Sequence, residues 1–526
     1  MPKVSKQTAG KIGLFSAIMI IFSTLIGVGI FFKNFSVFKN NNGNPWGILI
    51  SWIIAIILVM CTALSFCEIS SCKTKGKSDG LGGWAQRFCG HRFGRYSKIG
   101  YDLFFYGLDL FVIMFFTGEA LLNCFANVGD CPAGHIDFGP LTTFYIFLIG
   151  AVLCAIFVIL NYVANNSMTK FSSAVGIIKF VPIIAVVILG ITFGLLDNGG
   201  LWNGHWYSNP DGYHSSPDFV GIIISLPSIL FVYEGYLIIG NMSGDMKNPE
   251  KNVPLAVVIA IIIAAILYVL ITVGCITAGT GNVYELMQYC FGEGSKLTDI
   301  FTNIMSVFIF ISVLGVLNAM TFTGMRAFQG SCELGELFKS KALCKKKPGK
   351  QLFAGAVSLS VVAAIWWVVL IIPSCILNTD QIIDGTSNMM ILAIYILYAV
   401  LLCCGLRNRR TKKVEVRKMK GFNVICVIAI ITCFFMISFC SIYQFIVQPI
   451  IDTRDCSWND PYNCGWGLFI DTSFKLNYWQ AMICYWTILS FIMLCPFIND
   501  LMIKWWDKSN HQCLIWQKPN KQIILN

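Results

Sequence analysis

The chain has 526 residues, 56% of them hydrophobic, 14% aromatic and only 12% charged, with a formal net charge of +11. Soluble proteins carry roughly 25% charged residues, so an ordinary soluble domain, a disordered chain, a collagen-like repeat and a nucleic-acid binder are all excluded. What remains is an all-α integral membrane protein with many spans.

A window of about 19 residues finds twelve apolar segments. They lie at 12–32, 46–70, 99–124, 142–162, 173–195, 220–241, 254–279, 300–325, 352–373, 385–406, 421–447 and 477–503. The first is a transmembrane helix rather than a cleaved leader, because its apolar run reaches Phe32 with no A-x-A-like site. Of the 38 Lys and Arg, 32 fall in the termini and loops of one face, 5 on the other, and Lys179 lies inside a span. That imbalance puts the N-terminus (1–11) and the C-terminus (504–526) in the cytoplasm of a plasma membrane or bacterial cytoplasmic membrane. The net charge therefore reports topology and contact with anionic membrane lipids. Between spans 2 and 3, residues 78–98 read either as a short interfacial helix carrying Leu81, Trp84 and Phe88 or as an unstructured basic loop.

The motif search implies no cofactor and no metal. No phosphate-binding loop or HExxH motif is present, and all five histidines lie outside the apolar spans. Most of the 22 cysteines sit in apolar runs and behave as small apolar residues. Cys456 and Cys464 share an outer loop and form either a disulfide or two free thiols. An enzyme is disfavoured.

Two spans resist a continuous helix. Span 1 carries Ile26-Gly27-Val28-Gly29 at mid-depth. Glycine costs about 1 kcal/mol against Ala in a helix interior and lets the backbone unwind. Unwinding frees N–H and C=O groups, which a membrane tolerates only around a cavity or ligand. Freed N–H groups suit a carboxylate; the alternative is a glycine face packed on a neighbouring helix. Span 6 combines Pro227, Phe231, Tyr233, Glu234, Gly235 and Gly240. An intramembrane carboxylate marks a functional site by default. Interruptions at corresponding positions of two five-span halves point to a transporter with inverted repeats. Span 3 adds Asp109, a structural or gating partner, and Glu68 ends span 2 as an interfacial acid.

The segment Gly244-Asp245-Met246-Lys247-Asn248-Pro249-Glu250-Lys251-Asn252-Val253-Pro254 resembles the E-M-K-N-P-E-K-x-x-P stretch of the amino acid–polyamine–organocation superfamily, especially its L-type amino acid transporter branch. Phe231 to Tyr236 is similar to that branch's F-A-Y-x-G-W, Thr24 to Phe31 to its T-x-I-G-S-G-I-F, and Leu314 to Arg326 to its span 8 motif. The resemblance implies a LeuT-type fold with inverted repeats at 12–195 and 220–406, followed by two added spans at 421–503. It implies secondary-active amino acid transport by alternating access. The substrate carboxylate would meet the backbone at Gly27, Val28 and Gly29. Its amino group would meet carbonyls around Ile26 and from Phe231 to Glu234, near Tyr233 and Gly235, with Phe231 as a lid. Lys179 would stand where related carriers hold a sodium ion, beside span 1 carbonyls and Ser312, making transport sodium-independent as an antiporter or proton symporter; alternatively its ammonium snorkels to the interface. Val28, Glu234 and Tyr236 depart from the branch pattern. Glu234 therefore selects a cationic amino acid, couples a proton alongside a bulky neutral one, or is a structural hydrogen-bond acceptor. L-type carriers link to a single-span partner through a cysteine in the loop that here holds Cys131. An amino-acid-binding membrane sensor would carry the same binding motifs.

Overall fold

The computed structural model describes residues 12–27, 29–72, 80–125, 141–196, 216–281, 283–346, 352–377, 381–454, 456–462 and 476–509. Twelve helices within them are long and apolar enough to cross a membrane. In order they are Leu14–Phe31, Pro45–Ser70, His91–Asn123, Thr142–Val163, Ser167–Leu196, Phe219–Gly240, Pro249–Ala278, Lys296–Glu333, Phe353–Ile376, Gly385–Thr411, Phe422–Asp452 and Tyr478–Trp506. Each coincides with an apolar run, because a helix is the form that satisfies every backbone group inside its own segment. Span 3 begins earlier than hydropathy suggests, at His91, because its first two turns are polar. Span 8 runs on to Glu333 for the same reason.

Burial sorts the spans into a centre and a ring. The most apolar stretches of spans 1, 3 and 6 are 82%, 94% and 94% buried, against 28% for span 12. The central helices are thus covered by protein, and the outer ones present Ile, Leu, Val and Phe to lipid.

Small residues let the ring close tightly. A Cβ on Gly118 of span 3 would lie 2.0 Å from the Ile146 carbonyl, and one on Gly150 of span 4 would lie 1.9 Å from that of Met114. Gly190 of span 5 meets the Gly274 carbonyl of span 7 at 2.2 Å in the same sense. Backbones that touch at this range need glycine at the crossing.

Between spans 2 and 3, residues Gly80–Cys89 form a helix, which settles the two readings of that segment. Trp84 is buried against Gly240, where a Cβ would come within 2.7 Å of the indole. Glu68 is buried within the protein at the end of span 2. It accepts from Arg409 Nη2 at 2.5 Å and from the Met419 N–H at 2.8 Å, pinning the basic 407–420 loop to the end of span 2. The Lys247 N–H donates to the Ile12 carbonyl at 3.0 Å, tying the start of span 1 to the segment after span 6.

Candidate functional site

Span 1 is broken. Its inner half, Leu14–Leu25, ends at Ile26, whose φ of −85° and ψ of 110° are extended. Helix resumes at Gly29–Lys33 with wide, π-type turns and continues as Asn34–Asn40. The break leaves carbonyls with no helical donor. Lys179, fully buried in span 5, supplies one: its Nζ donates to the Ser23 carbonyl at 2.7 Å and to the Ile26 carbonyl. Ser312 Oγ donates to the same Ile26 carbonyl at 3.4 Å. The ammonium therefore ends on span 1 and not at the membrane interface. An amine this deep is tolerated because two backbone carbonyls accept from it.

Span 6 breaks opposite. Asp218 caps its start by accepting from the Val220 and Gly221 N–H groups, and the helix runs to Val232. Tyr233 and Glu234 make a turn, and Gly235 adopts φ +101°, which L side chains rarely reach. A tight 3-10 helix, Tyr236–Asp245, continues the span.

The two breaks touch. A Cβ on Gly29 would fall 2.8 Å from the Val232 Cα, and one on Gly27 would fall 2.2 Å from Val316 Cγ2 of span 8. Both glycine readings therefore apply, since the chain unwinds there and packs closely there. Tyr268 of span 7 joins the breaks, its hydroxyl 2.7 Å from the Leu25 carbonyl and 3.5 Å from that of Val232.

Between them lies a small cavity of about 30 Å³. Gly29, Phe231 and Glu234 line it, together with Thr24, Asp109 and Met320. Glu234 Oε1 accepts from the Tyr398 hydroxyl of span 10 at 2.8 Å, while Oε2 has no hydrogen-bond partner among the described residues. Asp109 Oδ1 also has none. Lys33, buried at the outer end of the site, donates to Ser387 Oγ at 2.8 Å and sits 5.0 Å from the centre of the Phe231 ring. Hydropathy had put Lys33 in an outer loop.

Other expected residues lie elsewhere. Tyr233 turns away from the cavity and packs edge-on against Trp52 and Tyr268, with ring centroids at 6.3 and 5.1 Å. Val28, Cys131 and Cys464 lie outside the described residues, as does the proposed Cys456–Cys464 pairing. Tyr268, Thr24 and Met320 join the site without being assigned to it by sequence, although the last two lie in the span 1 and span 8 motifs. A Tyr in an otherwise apolar helix was the only signal for the first, and the other two had none beyond their motif neighbours.

Behind Lys179 a polar lattice holds the inner half of span 1. Ser23 Oγ donates to the Ser172 carbonyl at 2.9 Å. Asn318 Nδ2 donates to Ser172 Oγ at 2.7 Å, and Asn161 Nδ2 to Asn318 Oδ1 at 2.9 Å. Spans 1, 4, 5 and 8 are thereby knitted by hydrogen bonds in the core. Among the described residues, no group of three His, Cys, Asp or Glu side chains could hold a metal ion.

Comparison with known proteins agrees with this arrangement of helices. The chain is 23% identical over 420 residues to the serine/threonine exchanger SteT of Bacillus subtilis (strain 168), covering 77% of this chain and 85% of that protein. It is 20% identical over 353 residues to an uncharacterized protein of Mycoplasma pneumoniae (strain ATCC 29342 / M129 / Subtype 1), covering 63% of this chain and 62% of that one, so less than two thirds of that relative is spanned. The model of the family described as amino acid permease matches residues 16–499, nearly the whole chain with both broken spans inside it. The chain belongs to the amino acid permease family.

Proposed function

We propose that this permease is a secondary-active, sodium-independent amino acid transporter that works by alternating access. The observation that carries this reading is the Lys179 ammonium on the Ser23 and Ile26 carbonyls. A fixed cation occupies the polar backbone where a mobile one would otherwise be needed. The substrate carboxylate is assigned to the N–H groups around Gly27, Val28 and Gly29, at the start of the outer half-helix. The substrate amino group is assigned to the span 6 carbonyls between Phe231 and Glu234. The Ile26 carbonyl is unsuited to it, since Lys179 and Ser312 already use both lone pairs. The substrate is a cationic or bulky neutral amino acid. Phe231 closes over it, and Gly235 and the span 1 break act as hinges. Spans 1–5 and 6–10 form inverted repeats that rock about this site, with both chain ends in the cytoplasm. The exchanger among its relatives supports exchange of one amino acid for another.

Purified protein in liposomes, loaded with a panel of unlabelled amino acids, tests this by counterflow of a labelled one. Counterflow should persist when choline replaces sodium. Lys179→Met should abolish it while the protein still elutes as a monodisperse species. Steep sodium dependence, or binding without counterflow, would overturn the reading; the second outcome would favour a sensor.

A further inference from the structure

Two buried acids from different spans face one cavity. Asp109 is 6% exposed and Glu234 7%, and each has a carboxylate oxygen without a hydrogen-bond partner among the described residues. Both line the space beside Gly29 and Phe231. Facing one small cavity, they are placed for their charges to interact. An orphaned carboxylate oxygen in a protein core is costly, and two on one cavity are costlier because like charges repel. Such an arrangement persists when something in the working cycle satisfies it.

A cation beside the cavity is Lys33, whose ammonium lies 5.0 Å from the centre of the Phe231 ring that lines it. It is held to one side by Ser387 and the Phe231 ring. Counting charges, two carboxylates and one ammonium leave the cavity one positive charge short. Lys179 does not fill that place, because its ammonium is committed to span 1 carbonyls. A substrate's own α-carboxylate and α-amino groups cancel each other and are assigned to the broken helix ends. With both carboxylates ionised, a cationic side chain on the substrate supplies the missing charge.

We propose that Asp109 and Glu234 form a two-carboxylate specificity site that receives the side-chain ammonium or guanidinium of a cationic amino acid, with Lys33 and Phe231 as its outer cover. This rests on the transport reading above and names the substrate class for the same site. The cavity as it stands holds about two waters, so Phe231 and Met320 must move aside as the substrate enters.

The test compares lysine with norleucine, which has the same carbon chain but no ammonium. In proteoliposomes at neutral pH, the wild-type KM for lysine should be at least about tenfold below that for norleucine. Asp109→Asn should raise the lysine KM about tenfold or more and remove the preference. Lys33→Met should do the opposite and widen the lysine-to-norleucine ratio, a gain that misfolding cannot produce. Equal use of lysine and norleucine by the wild type would overturn the specificity site and leave amino acid transport standing. So would an Asp109→Asn variant that keeps the ratio but loses its pH dependence, since the pair would then serve a proton. Absence of counterflow for every amino acid would overturn the transport reading instead.

Discussion

At the scale of single residues, the site is held by groups that span large sequence distances. Tyr268 hydrogen-bonds Leu25, 243 positions away, and links the two broken helices through one hydroxyl. Tyr268→Phe keeps the ring packed against Trp52 and Tyr233 but removes that bond. The expected loss is about 1 kcal/mol of stability, read as a lower melting temperature in detergent, with a larger fractional loss of counterflow than of folded protein. Gly29 is more demanding, because Cβ at that position meets backbone rather than a movable side chain. Gly29→Ala should reach the membrane, elute monodisperse and fail in counterflow; wild-type transport would show that the breaks separate freely. The residues legible in sequence were those that are expensive in a membrane. Gly27, Gly29, Lys179, Glu234 and Asp109 each break the apolar rule and so stand out. Tyr268, Thr24 and Met320 obey it, and only the packing of distant spans reveals them. Tyr233 fails the other way, since a motif position says nothing about which side of a turn the ring takes.

At the scale of elements, the spans were legible because lipid imposes one length and one hydrogen-bonding solution. Their ends were less so. His91 to Tyr101 is too polar for a hydropathy window, yet it is helix because it packs on the Gly80–Cys89 helix and leads straight into the span. A Cβ on Gly94 would lie 2.2 Å from the Gln86 backbone, which shows how close these two helices run. The Gly80–Cys89 helix of this pair also packs against the span 6 extension at Gly240. Ser331 Oγ donates to Asp102 Oδ2 at 2.6 Å, and Lys98 pairs with Glu336 at 3.4 Å, joining span 3 to the end of span 8. Gly240→Val should push Trp84 out of its seat and loosen the Gly80–Cys89 helix. Cys72, buried beneath that helix and hydrogen-bonded by Arg87, should then react with maleimide several-fold faster, measured by peptide mapping. An unchanged rate would mean that the contact is slack.

At the scale of the whole molecule, the two interrupted spans, 1 and 6, are with span 3 the most buried of the twelve helices. This is the arrangement the chemistry requires. Interrupted helices expose backbone that lipid cannot satisfy, so they must be wrapped by intact ones. The basic 407–420 loop, fastened through Glu68, belongs to the same scale, because it lies on the face that carries most of the Lys and Arg. An epitope tag at either end should be detected only after permeabilisation of cells, as expected for cytoplasmic termini. Detection on intact cells would reverse the orientation.

The Lys179 tether has an energetic consequence. A dissociable sodium ion brings the work stored in its gradient to the substrate; an ammonium bonded to the chain crosses nothing and delivers none. On the transport reading proposed above, net movement then draws on the substrate's own charge and on the gradient of any amino acid exchanged for it. For a monovalent cation the membrane potential supplies about 2.3 kcal/mol per 100 mV, a ceiling of roughly fiftyfold. Labelled lysine in proteoliposomes with an imposed potassium diffusion potential should rise to a plateau that follows the voltage and sinks to unity when the voltage is removed. A plateau above unity at zero voltage, driven by sodium, would mean that a second ion travels with the substrate. In a cell such a permease would behave as a voltage-set equilibrator, its direction changing whenever the membrane depolarises or the internal pool overfills.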